Sequence, residues 1–202
     1  MSIIQKVKAV EQLYSRLDSD IKSFKKSTEI SCLAGCGRCC NKPDIEASPL
    51  EFLPLAFHWF KQGIANEMLD RLQANESAIC MLYSPLSVSD EAKGSCSSYP
   101  FRGLICRLFG YGAGKDKYGQ LRLVTCKIIK EQQLENYEKA IEMLKRNEPV
   151  PVFSDYYKKL MQIDFRLANQ MLPINEAIEV AIEAVLQYYA YRPFPKTGKV
   201  VA

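Results

Sequence analysis

Hydrophobic residues near the N-terminus recur at alternating steps of four and three positions, which is the spacing of one face of an α-helix. The positions that follow this rule are Ile3, Val7, Val10, Tyr14, Leu17, Ile21 and Phe24. The pattern predicts one helix over residues 2–27 with a single apolar seam. We expect the seam to pack on the helix's own domain, because the repeat ends after about three heptads. Dimerisation through a coiled coil is the alternative.

A second helix is predicted to begin after Ser48. The run Ser48-Pro49-Leu50-Glu51 combines an N-cap, a proline at the first helical position and a capping-box glutamate. The helix continues to about Lys61, and Gly63 separates it from a further helical stretch up to about Ser77. These two helices form a predicted helical hairpin.

Three later stretches keep the helical spacing and are separated by prolines. The stretches are 130–146, 154–171 and 175–191. The fold class predicted from these patterns is mainly α, with about six helices around a small irregular cysteine-rich metal-binding lobe and one β-hairpin. We expect a single domain, 1–202. Its parts are an N-terminal helix (1–30), a cysteine-cluster region with the inserted helical hairpin (31–128), C-terminal helices (129–191) and an extended tail (192–202).

Composition describes an ordinary globular chain. Its 202 residues are 48% hydrophobic and 25% charged, which excludes a disordered protein. A chain of this size can bury enough surface to fold without metals or disulfides, so its eight cysteines need another explanation. The N-terminus lacks the uninterrupted apolar core of a signal peptide, and no apolar stretch is long enough to span a bilayer. We therefore expect a cytoplasmic protein without a membrane partner, in which cysteines hold metal rather than form disulfides.

Four of the cysteines, Cys32, Cys36, Cys39 and Cys40, lie within nine residues. Gly35 and Gly37 let this segment fold back on itself, and soft thiolate ligands at this density favour zinc or an iron–sulfur cluster. A redox dithiol pair and unligated core cysteines are the alternatives. Cys39 and Cys40 are adjacent in the sequence, and adjacent side chains in extended backbone point to opposite faces. One of the two is therefore expected to bind a different metal centre or to lie outside the residues that bind the metal directly.

Cys106 and Cys126 flank a glycine-rich segment that is typical of a β-hairpin. Each lies ten positions from Asp116, near the centre of the predicted turn. In an antiparallel pair with this register the two sulfurs could reach one ion.

Cys80 and Cys96 complete the set of candidate metal ligands, and neither has a histidine nearby in the sequence. The single histidine, His58, lies among aromatic residues of a capped helix, so we interpret it as a packed or surface side chain. Any metal site is therefore expected to consist mainly of thiolates.

Basic residues concentrate in the second half of the cysteine region. Residues 102–130 contain seven basic residues and one acidic residue, while the whole chain has a formal net charge of +4. Four thiolates around Zn²⁺ or an oxidised four-iron core carry a formal charge of −2, which needs cations nearby when buried. The residues placed in the sequence to supply them are Arg38, Arg102, Arg107 and Lys127. A nucleic-acid patch and a solvated face are the weaker interpretations, because no nucleic-acid-binding motif is present.

The order of these motifs resembles a known family. The segment Cys32–Cys40, then Cys80-Met-Leu-Tyr, then Cys96-Ser-Ser-Tyr-Pro-Phe-Arg-Gly-Leu-Ile-Cys-Arg-Leu-Phe is similar to the bacterial and archaeal CxxCxxCC, or YkgJ-like, cysteine-cluster proteins. The resemblance implies a zinc- or iron-chelating domain that uses some combination of the seven cysteines from Cys32 to Cys106. Gly103 stands where the family usually has proline, and Cys126 lies outside the shared pattern.

These observations predict a cytosolic metal-binding cysteine-cluster protein. An iron–sulfur cluster is favoured over zinc, and a redox or enzyme-support role is expected. A zinc-stabilised, non-catalytic interaction module is the main alternative, and a thiol redox switch is the third.

Overall fold

Helices make up most of the computed structural model, which describes residues 1–87 and 93–195. The helices in these ranges are α1 (Ile3–Thr28), α2 (Pro49–Gln62), α3 (Ala65–Gln73), α4 (Leu104–Leu108), α5 (Lys127–Gln132), α6 (Leu134–Lys145), α7 (Phe153–Ile163), α8 (Phe165–Ala168) and α9 (Ile174–Tyr189). The strands are β1 (Glu46–Ala47), β2 (Tyr83–Pro85), β3 (Gly94–Cys96), β4 (Ala113–Lys115), β5 (Leu121–Leu123) and β6 (Leu172–Pro173). They pair antiparallel as β1–β6, β2–β3 and β4–β5. The prediction of a mainly helical fold is confirmed.

The long N-terminal helix α1 packs into the core of its own chain. It begins with a capping box in which the Ser2 hydroxyl accepts from the Gln5 amide and the Gln5 side chain accepts from the Ser2 amide. It ends where Glu29 adopts the left-handed conformation, with φ of 59°. All seven residues of the predicted seam are buried. The seam is therefore used within the chain and is not exposed for a coiled-coil dimer.

Helices α2 and α9 form the centre of the larger core. The N-terminal half of α2 is buried on every side, including Pro54 in its interior. Helix α9 presents a face of alternating small and branched residues, among them Ala177, Ile178 and Ala181, all completely buried. Small residues let two helices approach closely, so this face supports the contact with α2 and with α3. None of the helices in the described ranges combines the length and the apolar character that a bilayer span requires.

Two of the predicted C-terminal helices are interrupted in the structure. The stretch 130–146 divides into α5 and α6 at Gln133, and the stretch 154–171 divides into α7 and α8 at Asp164. Gln133 uses its side chain to bind the backbone of Ser31, whereas Asp164 accepts from the Leu167 amide and forms an ion pair with Lys6. The periodicity continues across both breaks, and the side chains at the breaks make a long-range contact in one case and a local helix cap in the other.

The predicted β-hairpin is present, but its register differs from the prediction. Ala113 pairs with Leu123 and Lys115 pairs with Leu121, which places the turn at residue 118 instead of 116. The strands are only three residues long, so Cys106 and Cys126 lie outside them. Cys106 belongs to α4 and Cys126 is the N-cap of α5. The prediction that the two cysteines face each other across this hairpin is therefore wrong.

The predicted extended tail lies only in part within the described residues. Residues 196–202 are outside them. Residues 193–195 have no regular secondary structure, and the Phe194 ring stacks on Phe60 with centroids 5.0 Å apart.

Glu51 joins the beginnings of two helices through a buried carboxylate. One oxygen accepts from the Ser48 amide at 2.8 Å and the Ser48 hydroxyl at 3.1 Å, which completes the capping box of α2. The other oxygen accepts from the Ile105 amide at 2.9 Å, at the start of α4. Burial raises the pKa of Glu51, while these hydrogen bonds lower it. The carboxyl group therefore fixes α4, which carries Cys106, against α2.

Replacing Glu51 with alanine should lower the free energy of unfolding by about 2–3 kcal/mol, because three donors shielded from water lose their acceptor. Urea unfolding of the reduced protein, followed by circular dichroism, measures the change. Glu138→Ala is the matched control, since Glu138 is exposed on α6, and it should change the value by less than about 0.5 kcal/mol. Equal effects of the two substitutions would contradict the role of Glu51.

Candidate metal centre

The cysteine-rich loop, residues 31–41, consists of two consecutive turns. The Cys36 amide donates to the carbonyl of Leu33 at 3.1 Å, and Gly35 between them has φ of 71°, which glycine adopts without strain. The Gly37 carbonyl then accepts from the amides of Cys40 and Asn41, each at 2.9 Å. The segment that carries the vicinal cysteines is thus a helical turn and not the extended backbone assumed from the sequence.

The loop docks on the β2–β3 hairpin through glycines. The Gly94 amide donates to the Gly35 carbonyl at 3.0 Å, and Cys36 forms an isolated antiparallel bridge with Lys93. A Cβ atom on Gly37 would lie 2.6 Å from the ring of Tyr83, and one on Gly94 would lie 2.1 Å from it. The tyrosine ring therefore fills the space that side chains at these glycines would need.

The start of the loop is held by two polar side chains that the sequence patterns did not single out. The Gln133 side chain accepts from the Ser31 amide at 3.0 Å and donates to the Ser31 carbonyl at 2.7 Å. The Tyr111 hydroxyl accepts from the Cys32 amide at 3.1 Å. Tyr111 stands between two glycines, which suggests a close approach of the backbone, but nothing in the sequence around Gln133 indicates this contact.

The vicinal cysteines share one interaction. The Cys39 and Cys40 sulfurs lie 4.0 Å apart and either can donate to the other. This hydrogen bond lowers the pKa of Cys39 to about 6 and, together with burial, raises the pKa of Cys40. The guanidinium of Arg102 lowers the pKa of Cys39 further. The pair thus gives up a first proton more easily than an isolated thiol and a second with difficulty.

Cys80, Cys96 and Cys106 come together from the β2–β3 hairpin and α4. The Tyr83 amide donates to the Cys80 carbonyl at 2.9 Å, and Tyr83 is the register partner of Cys96 in the hairpin. Burial raises the pKa of Cys80 to about 11, and it raises those of Cys96 and Cys106 as well. The Glu51 carboxylate, and after it the thiols of Cys80 and Cys96, raise the pKa of Cys106 further. These three side chains pack against the larger apolar core.

The charges of the cysteine thiols influence one another's pKa, although the cysteines come from separate parts of the chain. Burial raises the pKa of Cys32, and the thiols of Cys36, Cys39 and Cys126 raise it further. The thiols of Cys39, Cys96 and Cys106 raise the pKa of Cys40, and the Cys96 thiol raises that of Cys80. Among the described residues, no three Cys, His, Asp or Glu side chains converge in the arrangement of a metal site.

Arg102 is the cation whose charge acts on several of these thiols. Its positive charge lowers the pKa of four of the thiols, those of Cys32, Cys39, Cys96 and Cys106. Its guanidinium stacks on Tyr99 with 3.6 Å to the ring centroid. The Nε atom is buried and has no hydrogen-bond partner within the described residues. A buried N–H donor without a partner beside several sulfurs suits a negatively charged thiolate centre.

The other predicted cations are placed differently. Arg107 donates through Nη1 to Asp18 at 2.7 Å, through Nε to the Arg102 carbonyl at 3.0 Å and through Nη2 to the Pro100 carbonyl at 2.6 Å. It therefore positions the segment that carries Arg102. Lys127 is 84% exposed and its amine lies 3.4 Å from Glu131, while Arg38 is an exposed residue of the loop.

His58 stacks on Phe101 with ring centroids 4.5 Å apart. Burial lowers the pKa of its imidazole, and Lys61 lowers it further. These contacts agree with a packed aromatic side chain.

Comparison of the chain with protein-family models, with curated proteins and with solved structures found no match. The resemblance to the CxxCxxCC proteins therefore stays a prediction.

Substituting Gly94 with alanine should lower the free energy of unfolding by about 1–3 kcal/mol, because the new methyl group overlaps the Tyr83 ring. The double variant Gly94→Ala/Tyr83→Ala is compared with Tyr83→Ala alone in urea unfolding. In that background the methyl group finds space, and its cost should fall to near zero. If Gly94→Ala lowers the free energy of unfolding as much in the Tyr83→Ala background as in the wild type, the packing of the Tyr83 ring on Gly94 does not hold the loop on the hairpin.

Proposed function

We propose that the chain is a cytosolic metal-binding protein whose cysteine thiolates hold an iron–sulfur cluster, in a redox or enzyme-support role. The cysteines and the short irregular segments that carry them would form a metal-binding lobe on the helical scaffold. The metal that competes most directly with this assignment is zinc, since both accept four thiolates.

One observation carries this proposal. The charge of Arg102, whose buried Nε has no hydrogen-bond partner among the described residues, lowers the pKa of thiols from widely separated positions, those of Cys32, Cys39, Cys96 and Cys106. Burial disfavours the thiolate form of Cys80, Cys96 and Cys106, so the site is costly to ionise unless more positive charge enters it. A bound metal supplies that charge, and it deprotonates the thiols that bind it.

The residues of the chain fit such a group in charge and in ligand chemistry. An iron–sulfur cluster bound here would supply one-electron transfer. The contribution of the chain is to provide the sulfurs, to hold the loop through Tyr111 and Gln133, and to offer the Arg102 N–H to a sulfur. Burial of Cys80 and Cys106 against the larger core limits the access of water.

Purification of the full chain without oxygen tests the proposal. The expected product is brown, with broad visible absorbance, and contains iron and acid-labile sulfide. A colourless protein that contains zinc alone would overturn the iron–sulfur assignment and support the zinc module. A metal-free protein whose thiols oxidise and reduce reversibly would overturn both and leave a redox switch.

A zinc-stabilised interaction module without chemistry of its own is the second candidate. Its support is that Glu51, the one buried carboxylate among the described residues, serves as a helix cap and not as an acid or base. In this case a strong chelator should speed the hydrogen exchange of the amides in the cysteine-rich loop, residues 31–41. The visible absorbance should not change, because zinc contributes none. If the amides of residues 31–41 exchange as slowly after complete metal removal as before it, the zinc-module hypothesis is contradicted.

Replacing Arg102 with glutamine should weaken metal binding by about 10–100-fold, because the charge and the Nε donor beside the sulfurs are both removed. Competition with a chromogenic chelator measures the affinity. The matched control is Arg122→Gln, since Arg122 is 69% exposed and pairs with Asp116, and the affinity should not change. Arg102→Lys should restore only part of the loss, because lysine keeps the charge but lacks the Nε donor. Equal affinities for all variants would show that Arg102 does not contact the metal ligands.

A further inference from the structure

We propose that a cavity beside the C-terminal end of α3 binds a small organic anion, a monocarboxylate with an apolar body. The cavity has a volume of about 490 Å³, which is within the range of small-molecule sites in proteins. Its walls come from the end of α3, from the loop that follows and from the first residue of β2. Among the residues that line it are Arg71, Ala74, Ile79, Met81 and Tyr83.

Arg71 supplies the positive charge of this cavity. Its guanidinium donates through Nη1 to the Met68 sulfur at 3.8 Å, and a thioether is a weak acceptor. Within the described part of the chain, no carboxylate forms an ion pair with Arg71. The acidic residues nearby in the sequence, Asp70 and Glu76, are not among the residues that line the cavity. The guanidinium therefore has strong donors left for a ligand.

The loop that forms the rest of the wall is held in place by Asn175, near the start of α9. The Asn175 Oδ1 atom accepts from the Met81 amide at 2.9 Å. Its Nδ2 atom donates to the carbonyls of Ile79 at 2.9 Å and Ser77 at 3.1 Å. Within the loop, the Ser77 hydroxyl accepts from the Ile79 amide at 3.1 Å. These hydrogen bonds fix the backbone of the loop, so the wall is formed before a ligand arrives.

The chemistry of the lining residues selects the class of ligand. A guanidinium offers parallel N–H donors that match the two oxygens of a carboxylate. Arg71 carries the only formal charge among the described residues that line the cavity, so a ligand with one negative charge balances it. Ala74, Ile79 and Met81 contribute apolar surface, and Tyr83 contributes an aromatic ring. These side chains suit an apolar body attached to the carboxylate.

This site is separate from the proposed metal centre, although the two are adjacent. Cys80 also lines the cavity, so a bound carboxylate would lie beside one of the proposed metal ligands. The residues assigned to recognition of the anion, Arg71 above all, are not among those ligands. The inference therefore stands or falls independently of metal binding.

Phenylacetate and phenylacetamide test the site, because they have nearly the same shape and only the first is charged. Binding to the full-length chain is followed by nuclear magnetic resonance of the labelled methyl groups of Ile79 and Met81. Phenylacetate should shift both resonances saturably and bind about 5–10-fold more tightly than phenylacetamide. Arg71→Gln should remove this difference and leave the affinity for phenylacetamide unchanged. Arg16→Gln is the matched control, since Arg16 is exposed on α1, and it should change neither affinity.

A second variant tests the cavity itself. Ala74 is exposed at the end of α3, so a larger side chain there does not disturb the core. Ala74→Leu fills part of the cavity and should weaken the binding of both probes to a similar extent. Circular dichroism verifies that each variant keeps the helix content of the wild type.

Three outcomes would overturn the inference. Equal affinities of the wild type for the two probes would show that the cavity does not recognise an anion. Unchanged affinity of Arg71→Gln for phenylacetate would show that Arg71 does not bind the carboxylate. The absence of a saturable shift at the methyl groups of Ile79 and Met81 would show that the cavity is not a binding site. None of these results bears on the metal content of the chain, which the anaerobic purification measures separately.

Discussion

The buried carboxylate of Glu51 fixes the helix that carries Cys106 against the helical core. Through its two oxygens it ties α2 to α4, and α4 carries Cys106 and Arg107. Arg107 in turn binds the carbonyls of Pro100 and Arg102 and is anchored by Asp18 on α1. The position of the Arg102 backbone therefore depends on a series of hydrogen bonds that begins in the centre of the helical core.

Electrostatics limits what this group of thiols can be without a cation. Burial favours the neutral form of a thiol, and each neighbouring thiolate adds repulsion. Both effects raise the pKa of Cys32, Cys40 and Cys106. One arginine offsets only part of this, and the hydrogen bond between Cys39 and Cys40 lowers the pKa of Cys39 while it raises that of Cys40. A divalent ion or a cluster bound as proposed would add positive charge at the sulfurs themselves.

The helices could be predicted where one face of the sequence is continuously apolar. The seam of α1 and the capping box of α2 both lie as the sequence indicates. The break at Gln133 could not be predicted, because it depends on Ser31, more than 100 residues away. Asp164, in contrast, caps α8 through the nearby Leu167 amide, and its ion pair with Lys6 is the distant part of the arrangement. Local periodicity contains no information about such contacts.

The candidate site was predictable in its residue types but not in its geometry. The cysteine spacing identified the loop, and the basic segment identified Arg102 among four candidates. Counting from an assumed turn centre failed for Cys106 and Cys126, because the strands between them are short and both ends of the segment enter helices. The grouping of the sulfurs depends on the docking of the loop, which Gly37, Gly94 and Tyr83 determine through their packing.

Most of the cysteines lie outside the helices. The stability of the helical core therefore does not depend on the segments that carry them. Ordering a backbone residue costs about 1–2 kcal/mol, and a three-residue strand pair offsets little of it. The helical core of α1, α2 and α9 buries its apolar faces without help from the sulfurs. The loop is held instead at a few points, through Tyr111, Gln133 and the Tyr83 ring. Metal binding at such a site would order the loop on a scaffold that already exists, so the loss of metal and the loss of the helices should be separate events.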